Sequence, residues 1–376
     1  MTYMHLGPYS DMFPNPPFPA ALPGPETVRL VRETLGFCDR PEQPQDVRID
    51  TTWENDGLRG EAVSWSVGYG PRCEAWLLRP TDAAGPLPGV LALHDHGGFK
   101  YYGKEKIAEG PETPSPILRG WFQTYYGGRA WANALARRGF AVLVPDTFLW
   151  GSRKFSNETM LASMQGRIPG LNEAVESLDE IALHSLLCGQ HEHLVSKYCN
   201  LLGSSLAGVV NYEDRVALNY LRSRADVQAE NTGCIGLSGG GNRSALLRAS
   251  ADGLKAAAIV GLMCTYEGML DHNVVTHTWM LFPFGWARHG DWPDLAACRA
   301  PLPLLVQYDR DDDLFTLRGM RDAHEKLQER YASAGAPEAY TGQFYPGPHK
   351  FDLEMQESAF DWLERWLKDA PSGKGK

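Results

Sequence analysis

The stretch "GCIGLSGGGNRS", Gly233 to Ser244, decides the fold. Three consecutive glycines suit a phosphate cradle, a flexible loop, or a serine held up for attack. A phosphate loop of the GxxxxGK[ST] kind needs a lysine after the glycines, and none follows. A dinucleotide fingerprint needs GxGxxG, but counted from Gly236 the third position is Ser238. What remains is Gly236-Leu237-Ser238-Gly239-Gly240, a GxSxG string. The apolar "CIGL" reads as a strand running in, and "GNRSALLRAS" as a helix running out.

That setting gives each residue a reason. The serine sits at a tight strand-to-helix turn with its hydroxyl above the sheet. Gly236 and Gly240 lack the Cβ that would collide there. The new helix brings unpaired N–H groups and its positive end to the place where negative charge develops. A purely structural glycine turn is the plain alternative.

A serine hydroxyl is a poor nucleophile until a base takes its proton, so a histidine and a carboxylate should follow in the chain. His349 stands in "YPGPHKFD", between the last expected strand and the last helix, where packing gives it no task. The acid should come from "VQYDRDDDLF", just past a buried strand. It should lie several positions beyond the strand end, which disfavours Asp309. Asp312 is preferred, with Asp311 and then Asp313 as alternatives, against a merely solvated acidic loop. Two backbone donors must receive the oxyanion. One is expected from Gly239, next to the serine. The other is expected from His96, with Gly97 close behind, in the loop "HDHGG" that follows the strand "GVLALH". The His94 and Asp95 side chains are expected to brace that loop.

Further along, the pattern is β-loop-α-β. "GVLALH" and "FAVLVPD" read as buried strands with the helix "RAWANALARRG" between them. "TGCIGLS", "LKAAAIVGLM", "PLPLLVQYD" and "AYTGQFYPG" continue the strand series, with helices between. A strand pair around a Gly-Pro turn, within residues 61 to 80, precedes it. "FDLEMQESAFDWLERWLKDA" closes the chain as an amphipathic helix with Phe351, Met355, Phe360, Leu363 and Leu367 largely on one side. The expected architecture is α/β: at least five parallel strands alternating with helices, and a helical insertion over residues 152–208 at the active-site edge. Residues 1–40 read as an extended proline-rich arm with a short helix, 41–370 as one domain including the insertion, and 371–376 as a frayed tail.

Composition bounds the rest. The 376 residues are 43% apolar with a formal net charge of -10, and no basic stripe is present, so no nucleic-acid partner is expected. No run reaches the ~18 apolar residues of a membrane span, so no membrane partner is expected. Seven scattered cysteines without a CxxC pair read as free buried thiols in a reducing compartment. The N-terminus lacks a signal-peptide pattern, and a cytoplasmic protein is the simplest reading. Metal readings are weak. His94-Asp95-His96 is short of ligands, and His184, Cys188, His191 and His193 do not make a complete pattern. Trp150, Arg153, His277, Trp279 and Trp286 are candidates for the pocket wall, against core packing.

Taken together, "LALHDHGG", "VLVPDTFLWGSR", "GLSGGG", "PLPLLVQYDRDDDLF" and "GPHKF" resemble the α/β-hydrolase superfamily, and within it the dienelactone-hydrolase-like and acetyl-xylan-esterase-like proteins. The resemblance covers most of residues 60 to 370. It implies an α/β-hydrolase fold with Ser238 as nucleophile, His349 as base, and Gly239 with His96 as oxyanion donors. Its "Gly-x-x-Asp-x-x-Phe"-like run places the acid at Asp312, with Asp309 where relatives have glycine. Dienelactone hydrolases proper carry a cysteine nucleophile, and the serine here argues against that reaction. The expected activity is hydrolysis of a small-molecule carboxylic ester, short-acyl or carbohydrate acetyl, without cofactor or metal. An amide or peptide substrate is the second enzyme reading, and a binding role the third. The oligomeric state stays open.

Overall fold

The computed structural model describes residues 3–13, 18–37, 40–164, 166 and 171–368. The tail at 371–376 and Cys38 lie outside the described residues. Nine strands form one sheet in the order β1-β2-β3-β5-β4-β6-β7-β8-β9. They are β1 (Gln45–Asn55), β2 (Leu58–Ser66), β3 (Cys73–Pro80), β4 (Leu87–Leu93), β5 (Ala141–Pro145), β6 (Val227–Leu237), β7 (Ala256–Val260), β8 (Leu304–Asp309) and β9 (Tyr340–Tyr345). From β5 across to β9 every pairing is parallel. β1, β2, β3 and β5 pair antiparallel.

The parallel strands are apolar on both faces, because each face is covered. Leu91, Cys234, Ile259 and Val306 pack into one cluster with the helices Leu206–Ser223, Gly239–Ser250 and Leu317–Ser333. Their neighbours Val90, Ile235, Ala258 and Leu305 point the other way, into a second cluster with the helices Trp131–Arg137 and Leu353–Leu367. The apolar side of the closing helix is buried there through Met355, Phe360, Leu363 and Leu367.

Two local expectations need correction. β1 was not anticipated as a strand; it pairs with β2 across the turn at Asp56-Gly57. The arm is not extended throughout. Met4–Met12 form 3-10 turns, closed where Ser10 Oγ accepts from Tyr3 N–H at 3.0 Å and donates to the Tyr3 carbonyl at 2.9 Å.

Beyond β5, the helices Asn157–Met164, Leu171–Ser177 and Glu180–Leu201 cross toward the carboxyl ends of the strands. Met160, Met164, Leu183 and Leu187 give them a small core of their own. Val195 and Cys199 pack on Leu149, Trp150 and Met280. The next helix runs Leu206–Ser223. No helix among the described residues is long and apolar enough to cross a membrane.

Candidate active site

Parallel strands place their carboxyl ends on one edge, and the loops beyond them converge. β6 ends at Leu237 and the helix begins at Gly239. Ser238 between them has φ 58 and ψ -118, a left-handed conformation that a residue with a side chain rarely adopts. Its N–H is held by the Val260 carbonyl at 2.8 Å, and its carbonyl starts the helix by accepting from Asn242 N–H at 2.8 Å. The flanking glycines are required by contact. A Cβ at Gly236 would lie 2.5 Å from the Leu93 carbonyl oxygen, and one at Gly240 would overlap the same oxygen.

His349 follows β9 and Asp312 follows β8, and their side chains meet. His349 Nδ1 and Asp312 Oδ2 are 2.6 Å apart. The other carboxylate oxygen of Asp312 accepts from Leu314 N–H at 2.8 Å. Asp311 instead turns outward to Gly347 N–H at 2.7 Å, and Asp313 takes part through its carbonyl, 3.0 Å from His272 Nε2. Asp309 is fully buried at the end of β8 and accepts from Lys350 N–H at 3.1 Å through Oδ2. Asp309, Asp312 and His349 each bring one ligand-type atom within 4.8 Å of the others.

Burial works against a charged His349 ring. The hydrogen bond and charge of Asp312, with Asp309 and Asp95 further off, outweigh it and hold the imidazole above its ordinary range. The loop carrying His349 is fixed by Phe351 N–H, which donates to the Tyr125 carbonyl at 2.7 Å.

The loop after β4 is braced from below. Asp95 accepts from Lys106 Nζ at 3.1 Å and from the Tyr126 hydroxyl at 2.5 Å. His94 Nδ1 lies 3.0 Å from the Asp95 carbonyl. Arg243 Nη1 donates to the His94 carbonyl at 3.3 Å while the guanidinium pairs with buried Asp214 at 2.6 Å. Above this base His96 meets the elbow: a Cβ on Gly239 would lie 2.5 Å from the His96 nitrogen. Neither the Gly239 nor the His96 N–H has an acceptor among the described residues.

These groups surround a cavity of about 240 Å³. Ser238, Gly239, His96, Gly97 and His349 line it, together with Tyr125, Asn242, His277, Leu281 and Phe315. His277 is stacked on Phe315, with centroids 4.9 Å apart. Among the described residues, the lining contains no lysine or arginine.

Several pocket candidates lie elsewhere. Trp286 is fully buried and donates to the Asp291 carbonyl at 3.1 Å. Trp279 Nε1 turns to His193 Nδ1 at 2.7 Å. Arg153 is locked to Glu213 at 2.5 Å. Trp150 is buried against the back of the loop after β4, and its Nε1 donates to the His96 carbonyl at 3.3 Å. Their indole N–H groups and the guanidinium already have protein partners. His184, Cys188, His191 and His193 form no gathered ligand set among the described residues. Glu192, which carries no sequence signal, does reach the site: its carboxylate lies 2.8 Å from His96 Nε2.

No protein-family model matches the chain. In sequence it is similar to the "Putative hydrolase YtaP" of Bacillus subtilis (strain 168), 24% identical over 335 residues, covering 87% of this chain and 94% of that protein. In structure it is similar to a "putative acetyl xylan esterase" from Bacteroides fragilis, with TM-score 0.63, 14% identity, and coverage of 85% of this chain and 74% of the other. A glucuronoyl esterase from Solibacter usitatus is similar as well, with TM-score 0.62, 14% identity, and coverage of 90% and 91%. By its strand order, its Gly-Leu-Ser-Gly-Gly elbow and these likenesses, the protein has the α/β-hydrolase fold.

Proposed function

We propose that the protein is a serine hydrolase that cleaves a small, uncharged carboxylic ester with a short acyl group. The observation that carries this reading is the 2.6 Å contact of His349 with Asp312, at the wall of the cavity that Ser238 also lines. His349 takes the Ser238 proton as Ser238 Oγ attacks the ester carbonyl carbon. Asp312 holds the ring and stabilises its charged form. The oxyanion is received by the Gly239 and His96 N–H groups. His349 returns the proton to the departing alcohol. It then activates a water that releases the acid and restores Ser238.

The cavity is at the small end for a ligand site, which favours an acetyl-sized acyl group. With no lysine or arginine among the described residues of its wall, the cavity favours an uncharged substrate over an anionic one. An acetyl ester on a carbohydrate alcohol is the finer assignment, supported by the name of the similar acetyl xylan esterase. We read residues 41–370 as one catalytic domain with the insertion built in. The six described cysteines are all free, which favours a reducing compartment such as the cytoplasm.

The test is fluorophosphonate labelling of the wild type and of Ser238→Ala, read by intact mass, beside a p-nitrophenyl ester series from acetate to octanoate. A single adduct lost in the variant, with fastest turnover on acetate, is expected. An unlabelled wild type that turns over none of the esters would overturn the reading.

A further inference from the structure

Glu192 sits in the middle of the insertion helix Glu180–Leu201, with a side chain only 6% exposed. A carboxylate so placed is costly unless every lone pair is used. Here each oxygen has two partners. Oε2 lies 2.8 Å from His96 Nε2 and accepts from Lys100 Nζ at 2.5 Å. Oε1 accepts from the Thr278 hydroxyl at 2.7 Å and from the Trp279 N–H at 3.0 Å. Burial works against its charge, but His96 and Lys100 keep the carboxyl well below its usual range.

The partners come from two different walls of the cavity. His96 and Lys100 belong to the loop after β4. Thr278 and Trp279 continue the segment whose Thr276 and His277 also line the cavity. The His96 ring has its proton fixed as well. Gly98 N–H donates to Nδ1 at 3.0 Å, so Nε2 carries the hydrogen and gives it to Glu192. Behind the same residue, Trp150 Nε1 and Lys106 Nζ each reach the His96 carbonyl at 3.3 Å. Ring and carbonyl are thus tied down, and the N–H is left toward the cavity beside Gly239.

We propose that Glu192 is a positioning residue: through His96 it aims the second oxyanion donor, and through Thr278 and Trp279 it sets the spacing of the two walls. This rests on the serine-hydrolase reading above. It assigns the insertion a part in the chemistry, since the helix supplies the carboxylate that four donors from two loops require. An amide cannot replace it, because its NH2 group would face two donors.

The experiment is steady-state hydrolysis of p-nitrophenyl acetate by the wild type, Glu192→Gln and Thr278→Val, each normalised to its active-site titre by fluorophosphonate. The Ki of an alkyl trifluoromethyl ketone, which forms an oxyanion on the serine, is measured alongside. In Glu192→Gln, kcat is expected to fall about 10–100-fold per active site, as misplacement of an oxyanion donor should cause. KM should move less than about 3-fold, and the ketone Ki should rise in step with the loss in kcat/KM. Thr278→Val, which removes one of the four donors to Glu192 together with the cap on the Met280 N–H, should give a smaller loss in the same direction. It also decides the matter if the glutamine variant does not fold. A merely structural role would lower the titre and the melting temperature, leaving kcat per site and Ki unchanged. That result would overturn the proposal and leave the hydrolase reading intact. A wild type inert to both probes would overturn both.

Discussion

A methyl group on Gly239 would lie 2.5 Å from the backbone nitrogen of His96, so the two expected oxyanion donors are as close as their chains allow. Gly239→Ala therefore has to push the loop after β4 away from the elbow. We expect kcat for p-nitrophenyl acetate to fall about 100-fold or more, the cost of losing one such donor. Fluorophosphonate labelling should slow in parallel, while the circular dichroism spectrum stays that of the wild type.

The acid limb of the pH profile should lie above the ordinary imidazole value. Only neutral His349 can accept the serine proton, and Asp312 holds that ring's pKa up. Activity in kcat/KM should therefore decline as the pH falls through a midpoint above ~6.5. Asp312→Asn removes both the charge and the correct acceptor. It should move the midpoint down and lower kcat by about 10³–10⁴-fold. Asp311→Asn should change kcat by less than about 3-fold, because that carboxylate faces Gly347 instead.

Asp309 gives a stability prediction of definite sign. Burial, aided by the charge of Asp312 and opposed by the Lys350 N–H and His349, pushes its carboxyl up to about 7. Between pH ~4 and 7 the folded chain keeps a proton that the unfolded chain has released. Stability from this group is present below pH ~4 and is lost as the pH rises through 7. Asp309→Asn should be more stable than the wild type at pH 8, by about 4 kcal/mol, and nearly equal to it at pH 4. Urea unfolding at the two pH values measures it.

Beneath the elbow, Asp214 and Arg243 are both buried and pair at 2.6 Å. Asp214→Ala leaves the guanidinium without its counter-charge. Denaturant midpoints should show a loss of about 3–5 kcal/mol. Activity should fall further than the folded fraction, since Arg243 also supports the His94 carbonyl.

Much of this was legible in the chain. Strand, GxSxG and helix follow one another in "CIGLSGGGNRSALL", and the steric demands on Gly236 and Gly240 follow from that succession. The acid was legible as a ranking within four aspartates, Asp312 before Asp311 and Asp313, because the run past the strand end narrows the choice while the loop's own turn decides which carboxylate faces His349. β1 was missed for a physical reason. Val47, Ile49 and Trp53 alternate with polar residues along it. It is an edge strand whose residues are exposed nearly throughout, so the alternation points to no core. The Asp56-Gly57 turn was the other signal available. The tryptophans misled because an indole fills a core as readily as it lines a pocket. Glu192 could not be read at all. Its partners lie 92 to 96 residues before it and 86 to 87 after it, and no local spacing announces such a meeting.

The bond from Phe351 N–H to the Tyr125 carbonyl makes the loop of His349 and the tyrosine side of the cavity one mechanical piece. An acyl group too bulky for the cavity would press on Tyr125, and the displaced wall would carry the imidazole with it. Discrimination by size is then exercised in the proton transfer itself. Oversized esters would still occupy the cavity as competitive inhibitors, held in place but out of register with their base.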